Sequence, residues 1–168
     1  YYGGGISKAG AGTLLLNNAG NNYDGVTAVL GGTLKPLVAG AVPTGTNLIV
    51  SNNLAYSTAT FDLNGFDLTI GTLTMGSVNS NTFNNIVLPF NASANTNALV
   101  TTGANTLTLG GDVNYINSNN AYTSTVSGNL ALGTANLNQL STGAARNFGI
   151  ADSTQTGEEM NISAVISG

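Results

Sequence analysis

Short runs of alternating apolar and polar residues, each closed by Gly, Asn or Asp, recur from one end of this chain to the other. They include GTLLLN (Gly12 to Asn17), GTLKPL (Gly32 to Leu37), NLIVS (Asn47 to Ser51), FDLNGFDLTIGTLTM (Phe61 to Met75) and NIVLPF (Asn85 to Phe90). Further along come NTLTLGG (Asn105 to Gly111), GNLALG (Gly128 to Gly133), NFGIAD (Asn147 to Asp152) and NISAVISG (Asn161 to Gly168). Alternation with period two, bounded by turn formers, is the pattern of a strand with one buried face. A sustained 3.6-residue apolar period is missing, and Glu, Lys and Arg are few, so the helical fraction is expected to be close to zero.

The spacing of these runs narrows the fold further. Leu14, Leu34, Leu48, Leu68, Leu88, Leu107, Leu130, Phe148 and Ile162 follow one another at intervals of 14 to 23 residues. Intervals near twenty are those of a coil that passes the same point once per turn. The expected fold is therefore all-β, a right-handed parallel β-helix of about seven to eight coils. At ~4.8 Å per rung such a rod is roughly 35 to 40 Å long. In TLTL (Thr106 to Leu109), Leu107 and Leu109 are expected inside and the two threonines outside. A sandwich or up-and-down barrel is the alternative; it would place hairpins every ~8 to 12 residues, and Asn64-Gly65 is the one dipeptide a hairpin strongly favours.

Composition then limits what such a rod can do. Of the 168 residues only 6% are charged, against 42% hydrophobic and 23 glycines, so Asn, Thr and Ser must wet the surface. Neutral polar side chains stack on copies of themselves without repulsion, which suits repetitive β architecture. With three Lys and Arg against seven Asp and Glu, a net charge of −4 and a pI near 4.1, nucleic acid and anionic membranes are poor partners, because counterion release needs clustered cations. The chain has neither Cys nor His, which excludes disulfides and chemistry built on a thiol or an imidazole. No apolar run reaches the roughly 20 residues that a membrane-spanning helix needs, and YYGGGISKAG has no signal-peptide pattern. The opening glycines and the closing ISAVISG read as mid-protein sequence.

At Lys8 to Leu34 the chain reads KAGAGTLLLNNAGNNYDGVTAVLGGTL. This resembles the autotransporter-associated β-strand repeat, also called the passenger-associated transport repeat, of bacterial surface proteins. Its loose pattern is K-x-G-x-G-T-L-x-L, a polar loop with Asn-x-Tyr-x-Gly, and a strand ending in Gly-Gly-Thr-Leu. Lys8, Gly10, Gly12, Thr13, Leu14, Leu16, Asn21 or Asn22, Tyr23, Gly25, Gly32, Thr33 and Leu34 fit it. ATFDLNGFDLTIGTL (Ala59 to Leu73) resembles the stretch that commonly follows. Joining the closing ISAVISG to the opening GGGISKAGAGTL recreates the family's inter-repeat junction, so residues 1–168 look like a single solenoid segment, about one period of a longer tandem array; Tyr1 and Tyr2 depart from the small polar residues of that junction. The resemblance implies a β-helix, a secreted location at a bacterial cell surface, and a task of extension, display or adhesion.

Candidate chemistry is sparse. Asp62 and Asp67 bracket an Asn-Gly corner, and Glu158 and Glu159 are adjacent; two carboxylates on one face would suit polysaccharide cleavage, but adjacent residues of a strand point to opposite faces. Asp112, Asn114, Asn117 and Asn119 imitate a calcium loop, with Asn117 where Gly is required and Thr123 where an acid is. The runs Gly3 to Gly5 and Gly10-Ala11-Gly12 lack the Lys-Ser or Lys-Thr of a phosphate loop and read as turn or packing residues. Arg146, the only arginine, is expected to face Asp152 across a turn. Tyr23, Tyr56, Tyr115 and Tyr122 are the residues on which sugar rings could stack. Sequons stand at Asn91-Ala92-Ser93 and Asn161-Ile162-Ser163. The pairs Thr58/Thr60, Thr72/Thr74, Thr106/Thr108 and Thr123/Thr125 would make an ice-binding face only in register, and their separations of 14, 34 and 17 residues are too uneven.

The reading with the fewest conflicts is a structural spacer of a surface fibre, stacking head to tail through its solenoid ends by self-association or by covalent continuation, with no catalytic, cofactor-binding or metal-binding residue assigned. An adhesin module for glycans or host protein is the alternative, ahead of a polysaccharide-active enzyme or an ice-binding protein.

Overall fold

The computed structural model describes residues 3–51, 58–76, 82–83, 86–87, 97–116, 123–134, 144–152 and 157–168. Sixteen strands are described: β1 (Ile6–Lys8), β2 (Thr13–Leu16), β3 (Thr27–Val29), β4 (Gly32–Pro36), β5 (Leu48–Ser51), β6 (Ala59–Asp62), β7 (Leu68–Ile70) and β8 (Leu73–Gly76), then β9 (Thr82–Phe83), β10 (Ile86–Val87), β11 (Ala98–Leu109), β12 (Val113–Ile116), β13 (Ser124–Ala131), β14 (Phe148–Ile150), β15 (Met160–Ile162) and β16 (Val165–Ser167). The described residues contain no helix. The protein is all-β.

Parallel pairing joins β1, β3, β5, β8, β12 and β14 into one sheet of six strands. A second sheet runs β2, β4, β6, β11, β13, β15, with β7 beside β11 and β16 beside β13. Leaving aside the two-residue antiparallel pair β9–β10, the chain alternates between these two sheets, staying in the second for β6 and β7 and again for β15 and β16. Each strand meets a strand of its own sheet only after the chain has visited the other, which is why parallel pairing is available at all: parallel neighbours need a long crossover.

The registers stack side chains into columns. In the second sheet Leu14, Leu34, Phe61, Val100, Val126 and Ile162 are successive partners, and Leu68, Leu107, Leu130 and Ile166 form another column. In the first sheet Ile6, Thr27, Leu48, Leu73, Val113 and Phe148 are successive partners. Their inward members form one apolar cluster, in which Leu34, Leu48, Phe61, Leu73, Leu107 and Val113 are fully buried. Thr27 lies in this wall with its hydroxyl 2.7 Å from Tyr23 Oη and 3.2 Å from Thr46 Oγ1, so the buried polar group is satisfied.

Three expectations need correction. First, the evenly spaced leucines are not one column: Leu14 and Leu34 share a column that Ile162 closes, and Leu68, Leu107 and Leu130 form a second one, but Leu48 and Phe148 lie in the other sheet. Leu88 lies outside the described residues. True register partners are separated by 20 residues (Leu14 to Leu34) to 40 (Leu73 to Val113). The connections absorb the difference, because lengthening a surface loop costs little. Second, Asn64-Gly65 does build a tight turn, with both residues at positive φ and Phe66 N donating to Leu63 O, yet β6 and β7 do not pair with each other. Both run parallel to the single long strand β11. Asp62 Oδ1 accepts from Asn64 N, and Asn64 Nδ2 donates to Pro36 O, so the turn bulges outward from a sheet layer that continues past it. Third, the outer face of the first sheet is not wet throughout: Ala28 and Ile49, which alternate with core residues, are buried in a second small cluster with Val26 and Leu30.

Candidate functional site

The chain holds three cations, and each ties one strand level to the next. Lys8, at the end of β1, is only 8% exposed. Its Nζ donates to Ala9 O at 2.8 Å and Gly10 O at 2.6 Å, and across the stack to Gly31 O at 2.9 Å. These carbonyls belong to glycine-rich corners where the backbone turns from one sheet to the other. An ammonium has three donors and no acceptor, which matches three converging carbonyls. Burial lowers the Lys8 pKa from its ordinary value. Arg146 plays the same part near the other end, donating from Nε to Leu132 O at 2.7 Å and from Nη2 to Leu109 O at 2.8 Å and Thr134 O at 3.3 Å. Arg146 therefore holds carbonyls and does not pair with Asp152, as its place in the sequence implied. Lys35 Nζ lies 2.6 Å from Asp62 Oδ2, joining β4 to β6.

The neutral and acidic clamps follow one rule: a side-chain oxygen at a turn or, for Thr102, at the register shift within β11, accepts a backbone N–H from the next level. Asn47 Oδ1 accepts from Thr72 N at 2.9 Å, Asp67 Oδ1 from Thr106 N at 2.8 Å, Thr102 Oγ1 from Asn129 N at 2.7 Å, and Asp112 Oδ1 from Asn147 N at 2.9 Å. Each clamp supplies an acceptor where the ladder is interrupted, and an unpaired backbone donor at such a corner would be costly. Replacing Arg146 by Lys should lower the unfolding free energy by about 1–2 kcal/mol in urea titrations, because a single ammonium cannot reproduce the guanidinium fork.

Most residues singled out in the sequence find structural partners here. Asp62 and Asp67 flank the Asn64-Gly65 turn, but Asp62 is held by Lys35 and Asn64, and Asp67 by Thr106 and Asn105. Glu158 O accepts from Thr123 Oγ1, and Glu159 O from the backbone N–H of Ser124 at the start of β13. Asp112 is a clamp and Asn114 a rung of the first sheet between Thr74 and Gly149; Asn117 and Asn119 lie outside the described residues. Among the described residues no cluster of three acidic, His or Cys side chains could hold a metal.

Gly5 and Gly25 are packing residues, since a Cβ on Gly5 would come within 2.6 Å of Val26 O and one on Gly25 within 2.6 Å of Gly4 O. Asn161 is exposed on β15; Asn91 is outside the described residues. The threonine pairs fall into different places: Thr74 is buried in the first sheet, Thr60 and Thr125 are separated by Leu99, and Thr108 pairs with Thr69 and Ala131.

The tyrosines do not form a platform. Tyr115 is 2% exposed, stacked between Met75 and Ile150, and its pKa is raised, first by burial and then by the charge of Glu159. Its hydroxyl and that of Ser124 are buried without a hydrogen-bond partner. Tyr23 is bonded to Thr27, and Tyr56 and Tyr122 lie outside the described residues.

No protein-family model, curated protein or solved structure matches the chain. What remains as a surface for function is the far end of the stack. Of the five large apolar side chains that are exposed among the described residues, three, Ile150 (44%), Val165 (68%) and Ile166 (52%), sit on its last level, in β14 and β16. Sequence reading missed them as a group because the registers that bring 150 and 165–166 to one level are not visible in their spacing. At the first level Ile6, Leu14 and Leu16 are partly buried against the same core.

Proposed function

We propose that the chain is a right-handed parallel β-solenoid segment of a secreted bacterial surface protein, and that its task is structural: it builds a rod and joins end to end with copies of itself. The observation that carries this reading is the apolar last level, where Ile166 continues the column of the buried Leu130 and has nothing stacked beyond it among the described residues. A solenoid end leaves strand edges and an apolar cross-section open, and a further level satisfies both. The right hand follows from the strong preference of parallel crossover connections. The use of cations and carboxylates as clamps between levels favours a scaffold over a catalyst, and the burial of Tyr115 counts against a sugar-stacking face. The resemblance of Lys8 to Leu34 to the passenger-associated repeat adds the extracellular setting, and gains a physical reason in the grip of Lys8 on two corners.

The test is the concentration dependence of assembly. Wild-type chain should form elongated particles in electron micrographs and sediment as a series of multiples. The double substitution Val165→Asp and Ile166→Asp, at positions already more than half exposed, should leave the circular dichroism spectrum unchanged. It should raise the assembly concentration more than tenfold, since each lost apolar contact is worth about 1.5–3 kcal/mol when fully buried. A wild-type chain that stays monomeric at high micromolar concentration contradicts the proposal.

A further inference from the structure

Resting on the end-to-end reading above, we infer that copies meet in a single register, with β14 of one copy parallel to β1 of the next and β15 parallel to β2. The geometry points to this from three sides. The first strand, β1, belongs to the first sheet and the last, β16, to the second. A second copy placed on the last level thus resumes the alternation in phase, sheet over sheet. β14 and β15 are edge strands at one end of the two sheets, and β1 and β2 are edge strands at the other, so each open ladder finds a parallel partner of similar length.

Two of the three columns also continue across such a junction; the third, which runs from Leu68 to Ile166, has no member in β1 or β2. Phe148 closes the column that Ile6 opens, and Ile162 closes the column that Leu14 opens. In register, Phe148 meets Ile6 and Ile162 meets Leu14, apolar on apolar. The outward row that begins with Thr13, Thr33 and Thr60 ends with Thr125 and Asn161, so Asn161 meets Thr13, polar on polar. Slipping by one residue would turn Ile162 against an outward position and bring Asn161 over the core, because side chains alternate faces. A two-residue slip keeps the faces but leaves one inward side chain of each short strand unmatched. No like charges are set side by side in the inferred register: Lys8 is the one charge in β1 and β2 and falls opposite Ile150, and β14 and β15 carry none.

The chain has no cysteine, so introduced thiols report the register without interference. In a Thr13→Cys/Asn161→Cys variant the two thiols are at opposite ends of one copy, both at exposed positions, and become facing neighbours only between copies. Parallel strand neighbours lie within disulfide range. Oxidation of the assembled full chain should give a ladder of covalent multimers on a non-reducing gel. A Leu15→Cys/Asn161→Cys variant, displaced by two residues on the same face, should give at least tenfold less, and the ladder should vanish when Val165→Asp and Ile166→Asp are added. Rods in the micrographs with equal or stronger cross-linking of the displaced pair would overturn the register while leaving end-to-end assembly standing. Absence of rods and of cross-links in both variants would overturn both.

Discussion

Gly32→Ala is expected to destabilise the protein by about 3 kcal/mol or more, enough to move its urea midpoint clearly, while Gly10→Ala should cost about 1 kcal/mol. Both glycines have positive φ, 67° and 76°, so both substitutions carry the conformational penalty of a left-handed residue with a Cβ. Their surroundings separate them. A Cβ on Gly32 would lie 2.3 Å from Gly12 O, 2.5 Å from Gly10 O and 2.8 Å from Ala11 C, all backbone atoms of the level before it, whereas nothing comes within 4 Å of one on Gly10. The corner at Gly32 is also where Lys8 reaches Gly31 O, so pushing the two levels apart would break that contact too. Equal costs for the two substitutions would mean that the close approach of levels is not what requires glycine at position 32.

Phe61→Ala should cost about 3–5 kcal/mol, the usual range for truncating a fully buried aromatic. Phe61 is the largest member of its column, with Leu34 on one side and Val100 on the other, and has no exposed surface. In the proposed solenoid, where levels touch only their neighbours, a cavity at a middle level also weakens the coupling between the two halves. The loss should therefore appear as a broadened, less cooperative urea transition as well as a lower midpoint. Leu14→Ala, in the same column but only partly buried at the first level, should lower the midpoint by much less. A sharp, unchanged transition for Phe61→Ala would argue that the column is not a mechanical link between levels.

How much of this was legible beforehand differs from residue to residue. In TLTL at Thr106 to Leu109 the alternation alone placed Leu107 and Leu109 inside, since strand side chains strictly alternate. The absence of helix among the described residues followed equally directly from Gly, Asn and Thr occurring every few residues. Asn64-Gly65 was legible as a turn but not as this turn, because local conformation at two residues is the same whether the flanking strands pair with each other or with a third strand. Arg146 is instructive in another way. Its nearest acid in sequence, Asp152, was the natural partner, yet three carbonyls of corners at Leu109, Leu132 and Thr134 are nearer in space, and backbone acceptors leave no trace in a sequence. The exposed end at Ile150, Val165 and Ile166 was invisible for a related reason: each is an ordinary strand residue, and only the level it occupies makes it an end.

The amino-acid sequence by itself determined that this chain is built of short strands with one apolar face, turned by glycine and asparagine, and that ionic, thiol and imidazole chemistry have little or no place in it. Those are local properties, set by composition and by a period of two residues. Tertiary structure alone decided which strands stack on which, because connections between register partners vary from 20 to 40 residues and a flexible connection carries almost no information about its own length. It also decided that the few charges would serve as clamps between levels, since a buried cation goes to whatever acceptors the folded backbone brings within reach.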